Sequence, residues 1–137
     1  ALGWSKSKTL QALADFKGVK RRQELLGEVN GITIVEDFAH HPTAVDLTLR
    51  SMRERFPNQR LLAVFEPRSA TSRRKVFQTD YARAFAQADI AFVAQPFDQS
   101  KIADQDRFST DQLIQDLRRA GKQAETGKNV EELIQKM

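Results

Sequence analysis

The chain contains no cysteine. That excludes a disulfide framework, a thiolate metal site and a cysteine nucleophile, and it suits a reducing compartment. Glycine is sparse and scattered, at Gly3, Gly18, Gly27, Gly31, Gly121 and Gly127. These form neither G-x-x-x-x-G-K-[ST] nor G-x-G-x-x-G, so any phosphate-cradling loop must lie elsewhere. A G-x-S-x-G serine elbow is likewise missing. No apolar run approaches the roughly 20 residues that span a bilayer, and no signal-peptide core occurs near Ala1. The expectation is a cytoplasmic protein with no membrane partner. Aromatics are mostly phenylalanine at core-like positions, which leaves no stacking platform for bases and makes nucleic acid a minority reading.

The 137 residues, 40% hydrophobic and 29% charged, suffice for one globular domain with a real core. The net charge of +4 comes largely from Arg21, Arg22, Arg73, Arg74, Arg118 and Arg119, which are spread through the chain. Such a balance suits nucleic acid, a phosphate-bearing small ligand or a solvated surface.

The only two histidines fall in E-D-F-A-H-H-P-T-A, from Glu36 to Ala44. This stretch follows an apolar run, Ile32 to Val35, that reads as a buried strand, and precedes a helix from Val45 to Phe56. Asp37, His40, His41 and Thr43 therefore sit on a strand-to-helix turn, where open α/β sheets bind ligands. Thr43 or Asp37 can also cap the helix, and Pro42 suits its first turn. Asp37, His40 and His41 lack the spacing of a helical zinc site, so no metal ligands are assigned.

Upstream, Ser7 can cap a short helix with Leu10, Leu13 and Phe16 on one face and Gly18 at its end. Leu25 to Val29 and Ile32 to Val35 flank Asn30-Gly31, the preferred two-residue hairpin turn. Downstream, Val45, Leu49, Met52 and Phe56 recur at helical spacing and Pro57 stops the helix. Arg60 to Phe65 reads as a buried strand ending in a polar run, Glu66 to Ser72, which is either a second ligand-facing loop or a capped loop in which Ser72 opens the next helix. Phe77, Tyr81 and Phe85 form a core-facing stripe, and Ile90 to Ala94 a third strand. Gln95 to Asp106 is polar, a lid or a surface loop. Ser109 or Thr110 caps a helix through Leu113, Ile114 and Leu117 that Gly121 closes; Gln123 to Thr126 is a weak edge strand, and Asn129 caps a final helix. The alternation predicts an α/β fold, a Rossmann-like, mostly parallel sheet with helices on both faces and an N-terminal antiparallel hairpin.

Three segments in order, F-K-G-V-K-R-R-Q-E from Phe16, D-F-A-H-H-P-T-A from Asp37 and F-E-P-R-S-A-T-S from Phe65, resemble the C-terminal domain of the Mur ligases. These are ATP-dependent ligases of bacterial cell-wall synthesis. The resemblance is strong from Phe16 to about Asp98, and greatest to the branch that joins the murein tripeptide L-alanyl-γ-D-glutamyl-meso-diaminopimelate to UDP-N-acetylmuramate in peptidoglycan recycling. It implies ATP and Mg2+, an acyl-phosphate intermediate, and a multidomain enzyme of which residues 1–137 are a fragment, inactive alone, with the ATP-binding central domain absent. It places Arg22 at the ATP phosphates, Asp37 at the ribose, and His40, His41, Arg68, Ser69 and Thr71 around the peptide substrate; no complete catalytic set is present. The L-alanine-adding branch has Tyr and Gly where this chain has Phe38 and Ala39, and P-H-R where it has Pro67, Arg68 and Ser69. The chain also ends short of the branch's glycine-rich terminal segment, so a last strand is expected to be missing. The alternatives are the L-alanine-adding reaction, or a noncatalytic α/β module binding a phosphorylated ligand or nucleic acid through Arg21, Arg22, Arg73 and Arg74.

Overall fold

Asn30 and Gly31 both adopt positive φ, 52° and 78°, the combination a type I′ hairpin turn requires. They join β1 (Glu24–Val29) to β2 (Ile32–Glu36) as an antiparallel pair in which Val29 faces Ile32. A computed structural model describes residues 3–137; Ala1 and the adjoining Leu2 lie outside it. The chain divides into two units, Ala1–Phe38 and Ala39–Met137.

The first unit holds α1 (Lys6–Ala14) and the hairpin. Ser5, not Ser7, stands at the helix N-cap, Ser7 lies inside the helix, and Asp15 ends it before Phe16 and Gly18. None of the residues of α1 is buried, and Leu10, Leu13 and Phe16 are exposed. The buried strand expected at Ile32 to Val35 is corrected too. Ile32 and Ile34 are exposed, because β2 pairs only with β1 and a two-stranded ribbon has no inner position.

In the second unit β3 (Leu62–Phe65), β4 (Ile90–Ala94) and β5 (Gln123–Gly127) form a parallel sheet in the order β3-β4-β5. Strand β5, read weakly from sequence, takes the edge. The intervening helices are α2 (Pro42–Arg55), α3 (Gln78–Ala84) and α4 (Thr110–Arg119), and α5 (Val130–Ile134) follows β5. Side chains alternate across a pleated strand. Ala63, Phe65, Ala91, Val93 and Ala124 therefore join one cluster with Val45 and Leu49 of α2, Tyr81 of α3, and Leu113 and Leu117 of α4. Phe92 and Ala94 face the other way and meet Leu133 of α5. Helices thus lie on both faces, as the pattern predicts.

Helix boundaries shift where caps decide them. Helix α2 starts at Pro42, earlier than predicted, and Ser109 and Asn129 cap α4 and α5 through their side chains. Ser72 opens no helix: it is fully buried within its loop, and a 3₁₀ turn at Lys75–Phe77 leads into α3 instead. Among the described residues no helix is long and apolar enough to cross a membrane.

Candidate functional site

In the first unit the segment 21–23 runs alongside 36–38. Phe38 donates its N–H to the Arg21 carbonyl at 2.8 Å, and Gln23 donates its N–H to Asp37 Oδ2 at 2.9 Å. Arg21 and Gln23 both sit in the left-handed region, φ 57° and 50°, a conformation unusual for side-chain-bearing residues. Arg22, between them, closes a tight turn by donating its N–H to Val19 O at 3.1 Å. The Arg21 guanidinium pairs with Glu36 at 2.8 Å and lies 4.9 Å from the Phe38 ring centre. Arg22 is exposed, and no side-chain hydrogen bond or ion pair engages its guanidinium among the described residues. The structure thus occupies one arginine of the adjacent pair and presents the other, beside the Asp37 carboxylate's anchor on Gln23.

The second unit carries the histidines. His41 is the N-cap of α2: its backbone is extended and its Nδ1 accepts the Thr43 N–H at 3.3 Å. The sequence offered this role to Thr43 or Asp37; the structure gives it to the residue preceding Pro42, which stands at the first helical position. An accepting Nδ1 places the neutral ring's proton on Nε2. The ring meets Phe77 edge-on, centroids 4.5 Å apart, and lines a cleft of about 400 Å³ with Asp46, Arg50, Asp80 and Arg83. Two ion pairs, Arg50 with Asp46 and Arg83 with Asp80, line that cleft. His40 is fixed through its backbone, since the Tyr81 hydroxyl donates to the His40 carbonyl. Tyr81 is fully buried, and burial pushes its phenol up to about 12.

Arg68, Ser69 and Thr71 follow the carboxyl end of β3. Phe65, the last residue of that strand, packs 5.3 Å from the Tyr81 ring, so one aromatic pair supports both the His40 turn and the Arg68 loop. Ser69 and Ser72 lock that loop: their hydroxyls lie 2.8 Å apart, and each backbone N–H reaches the other's hydroxyl at 3.0 Å. Thr71 is half-buried, and its carbonyl accepts the Arg74 N–H at 3.0 Å. Arg68 stays exposed. Its Nε is 3.6 Å from Glu66, too long for a hydrogen bond. Its guanidinium lies 4.7 Å from the centre of the Phe97 ring.

Sequence reasoning missed the segment that completes this loop cluster. Gln95 to Asp106 reads as a polar surface stretch or lid; most of it is indeed exposed, but it is tied down at several points. Gln99 donates through Nε2 to the carbonyls of Arg73 at 2.7 Å and Phe108 at 3.0 Å, Arg73 donates to the Asp98 carbonyl, and Ile102 is buried. The backbone N–H of Ser100, at 2.8 Å, holds the Asp98 carboxyl below its usual range. An isolated aromatic, Phe97, inside a polar run was the available signal. Of the arginines that a noncatalytic phosphate or nucleic-acid module would use, Arg73 donates to the carbonyls of Ser69 and Asp98, and Arg21 pairs with Glu36.

Among the described residues no group of three or more His, Asp or Glu side chains could hold a metal ion. The geometry offers instead a free guanidinium next to a carboxylate-anchored turn, and two loops with hydroxyls, a second guanidinium and a histidine on a rigid sheet end. Such groups bind anionic and zwitterionic ligands.

The family model described as Mur ligase, glutamate ligase domain, matches residues 21–137. A UDP-N-acetylmuramate–L-alanine ligase of Desulforapulum autotrophicum is 47% identical over 83 residues, 61% of this chain and 18% of that protein. A UDP-N-acetylmuramate–L-alanyl-γ-D-glutamyl-meso-2,6-diaminoheptandioate ligase of Haemophilus influenzae is 47% identical over 87 residues, 63% of this chain and 19% of that protein. The crystal structure of a UDP-N-acetylmuramate–alanine ligase from Thermotoga maritima superposes with a TM-score of 0.77 at 25% identity, over 99% of this chain and 28% of that one. The matched segments thus make up about a fifth of the length of these curated relatives.

Proposed function

The chain belongs to the Mur ligase family, as its C-terminal, glutamate ligase domain, and from that premise we propose that it is part of a longer cytoplasmic, ATP-dependent ligase joining L-alanyl-γ-D-glutamyl-meso-diaminopimelate to UDP-N-acetylmuramate in peptidoglycan recycling. In this reading the γ-phosphoryl group of ATP passes to the muramate carboxylate, giving an acyl phosphate and ADP. The peptide amine then attacks the acyl carbon, loses a proton, and expels inorganic phosphate to leave an amide. In this reading the phosphate loop and most of the magnesium ligands belong to the remainder of the longer protein.

This chain's own contribution is binding and orientation. Arg22, with its guanidinium unengaged, meets the ATP phosphates and offsets charge developing on the transferred group. Asp37 accepts hydrogen bonds from the ribose hydroxyls while its other interaction holds the Arg22 turn in shape. His40, His41, Arg68, Ser69 and Thr71 line the peptide pocket, and His41 also caps α2.

The choice of a peptide over free L-alanine rests on Arg68. Its terminal nitrogens have no hydrogen-bond partner among the described residues, so an open guanidinium fork stands at the end of β3. A fork of this kind takes a carboxylate through two parallel hydrogen bonds, and meso-diaminopimelate supplies carboxylates that L-alanine lacks beyond its own. The relatives named for L-alanine favour the second reading, the L-alanine-adding reaction. ADP release by the full-length protein with UDP-N-acetylmuramate, ATP and either the tripeptide or L-alanine decides between them. Turnover with the tripeptide is expected; turnover with L-alanine alone overturns the choice, and no turnover with either returns the noncatalytic reading.

A further inference from the structure

We propose that Phe97 is a positioning residue for Arg68, setting the guanidinium's orientation and thereby the enzyme's grip on the peptide carboxylate. The inference rests on the reading that Arg68 binds the peptide substrate. An arginine side chain at a loop surface samples many rotamers, and ordering it on binding opposes affinity. Arg68 is 61% exposed at its side chain and its contact with Glu66 is long, so neither burial nor that ion pair fixes it. The aromatic face does. With the guanidinium 4.7 Å from the Phe97 centroid, the ring's negative face attracts the cation. The nitrogen edge is left open for a carboxylate.

The ring can play this part because the backbone that carries it is anchored beside Arg68. Phe97 donates its backbone N–H to the carbonyl of Pro67, at 3.4 Å, so the residue before Arg68 and the residue under its guanidinium are joined directly. On the far side Gln99 holds the segment to Arg73 and Phe108. Pro67 is itself buried. Phe97, at 66% exposure, contributes little to the core, and the contact its ring makes is with the Arg68 cation.

The experiment uses the full-length enzyme with the tripeptide and ATP titrated separately. Phe97→Leu keeps an apolar side chain and removes the ring; it is expected to raise the tripeptide KM about 2- to 5-fold, the range an exposed cation–π contact supports, with kcat, the ATP KM and the melting temperature unchanged. Phe97→Tyr is expected to behave as the parent. In an Arg68→Ala background, Phe97→Leu is expected to add nothing. If Arg68→Ala raises the tripeptide KM but Phe97→Leu does not, the positioning inference alone fails. If Phe97→Leu still raises KM on top of Arg68→Ala, the ring acts without Arg68 and the inference is equally wrong. An Arg68→Ala enzyme with an unchanged tripeptide KM overturns the substrate reading and takes the inference with it.

Discussion

The carboxylate of Asp37 accepts the backbone N–H of Gln23, fourteen positions earlier, at 2.9 Å. Two motifs that are separate in sequence, the basic turn and the strand-to-helix motif, are thereby one local structure. Asp37→Ala leaves that amide without this acceptor and is expected to cost about 1.5–3 kcal/mol, as for a hydrogen bond to a charged group. Asp37→Asn keeps an acceptor oxygen and is expected to cost less, while still raising the ATP KM of the full-length enzyme. Thermal unfolding and ATP titration of both variants check this; equal effects on stability would show that the Gln23 contact does not hold the turn.

Arg21 and Arg22 are expected to separate stability from activity. Arg22→Ala should lower turnover about 100-fold, the scale of losing one donor to transition-state charge, and leave the melting temperature in place. Arg21→Ala removes an exposed pair with Glu36 and should cost about 1 kcal/mol or less. Turnover is expected to stay within a few-fold of the parent. Reversed effects would exchange the roles of the two residues.

Tyr81 sets the behaviour at high pH. Its phenol is raised to about 12 in the folded chain by burial, against about 10 when unfolded. The neutral form is therefore favoured by folding: the stability is present below about pH 10 and is lost as pH rises towards 12. In Tyr81→Phe that alkaline loss should vanish, while the hydroxyl's bond to the His40 carbonyl disappears at a cost of about 1 kcal/mol at neutral pH. Denaturant unfolding between pH 8 and pH 11, taken about one unit apart, measures both effects.

The acid side is set in part by Asp89. The Leu61 N–H, at 2.7 Å, and then Arg53, at 2.6 Å, hold its carboxyl below the usual range. Folding favours the ionised form, so this contribution is present above about pH 4 and is lost as pH falls through the lowered value. Asp89→Asn should flatten the acid limb of the stability curve. Since Arg53 also donates to the carbonyls of Gln59 and Gln87, Arg53→Ala is expected to destabilise more than Asp89→Asn does at neutral pH.

Elements whose reasons are local were readable from sequence. Asn30-Gly31 dictates its turn, Ser109 and Asn129 their helices, and Ile90 to Ala94 its strand, because each depends on neighbours along the chain. The pairing of β2 with β1 was readable from the same turn, but its exposure was not: an apolar run such as Ile32 to Val35 looks the same whether its strand is buried in a sheet or stands in an exposed two-stranded ribbon. The same holds at the candidate site. Arg68 could be singled out as a cation in a loop, but its partner Phe97 lies twenty-nine residues away and meets it only once β3 and β4 are side by side. His41 as a cap was hidden because histidine is an uncommon choice for a position that Thr43 and Asp37 suit better by type.

The contrast between a two-residue turn and strand pairings that enclose whole helices has a kinetic consequence. Strands β1 and β2 meet on the time scale of hairpin closure, about 1–10 μs. Strands β3, β4 and β5 must close long loops before any parallel ladder forms, which is slower. During refolding the arm carrying Arg22 and Asp37 is expected to acquire amide protection first, and to lose it most readily at equilibrium, because an isolated two-stranded ribbon is only marginally stable. The amides of β4, paired on both sides, should exchange only through global unfolding. Pulse-labelled hydrogen exchange would then find two clocks in one chain, a fast one in the hairpin and a slow one in the parallel sheet.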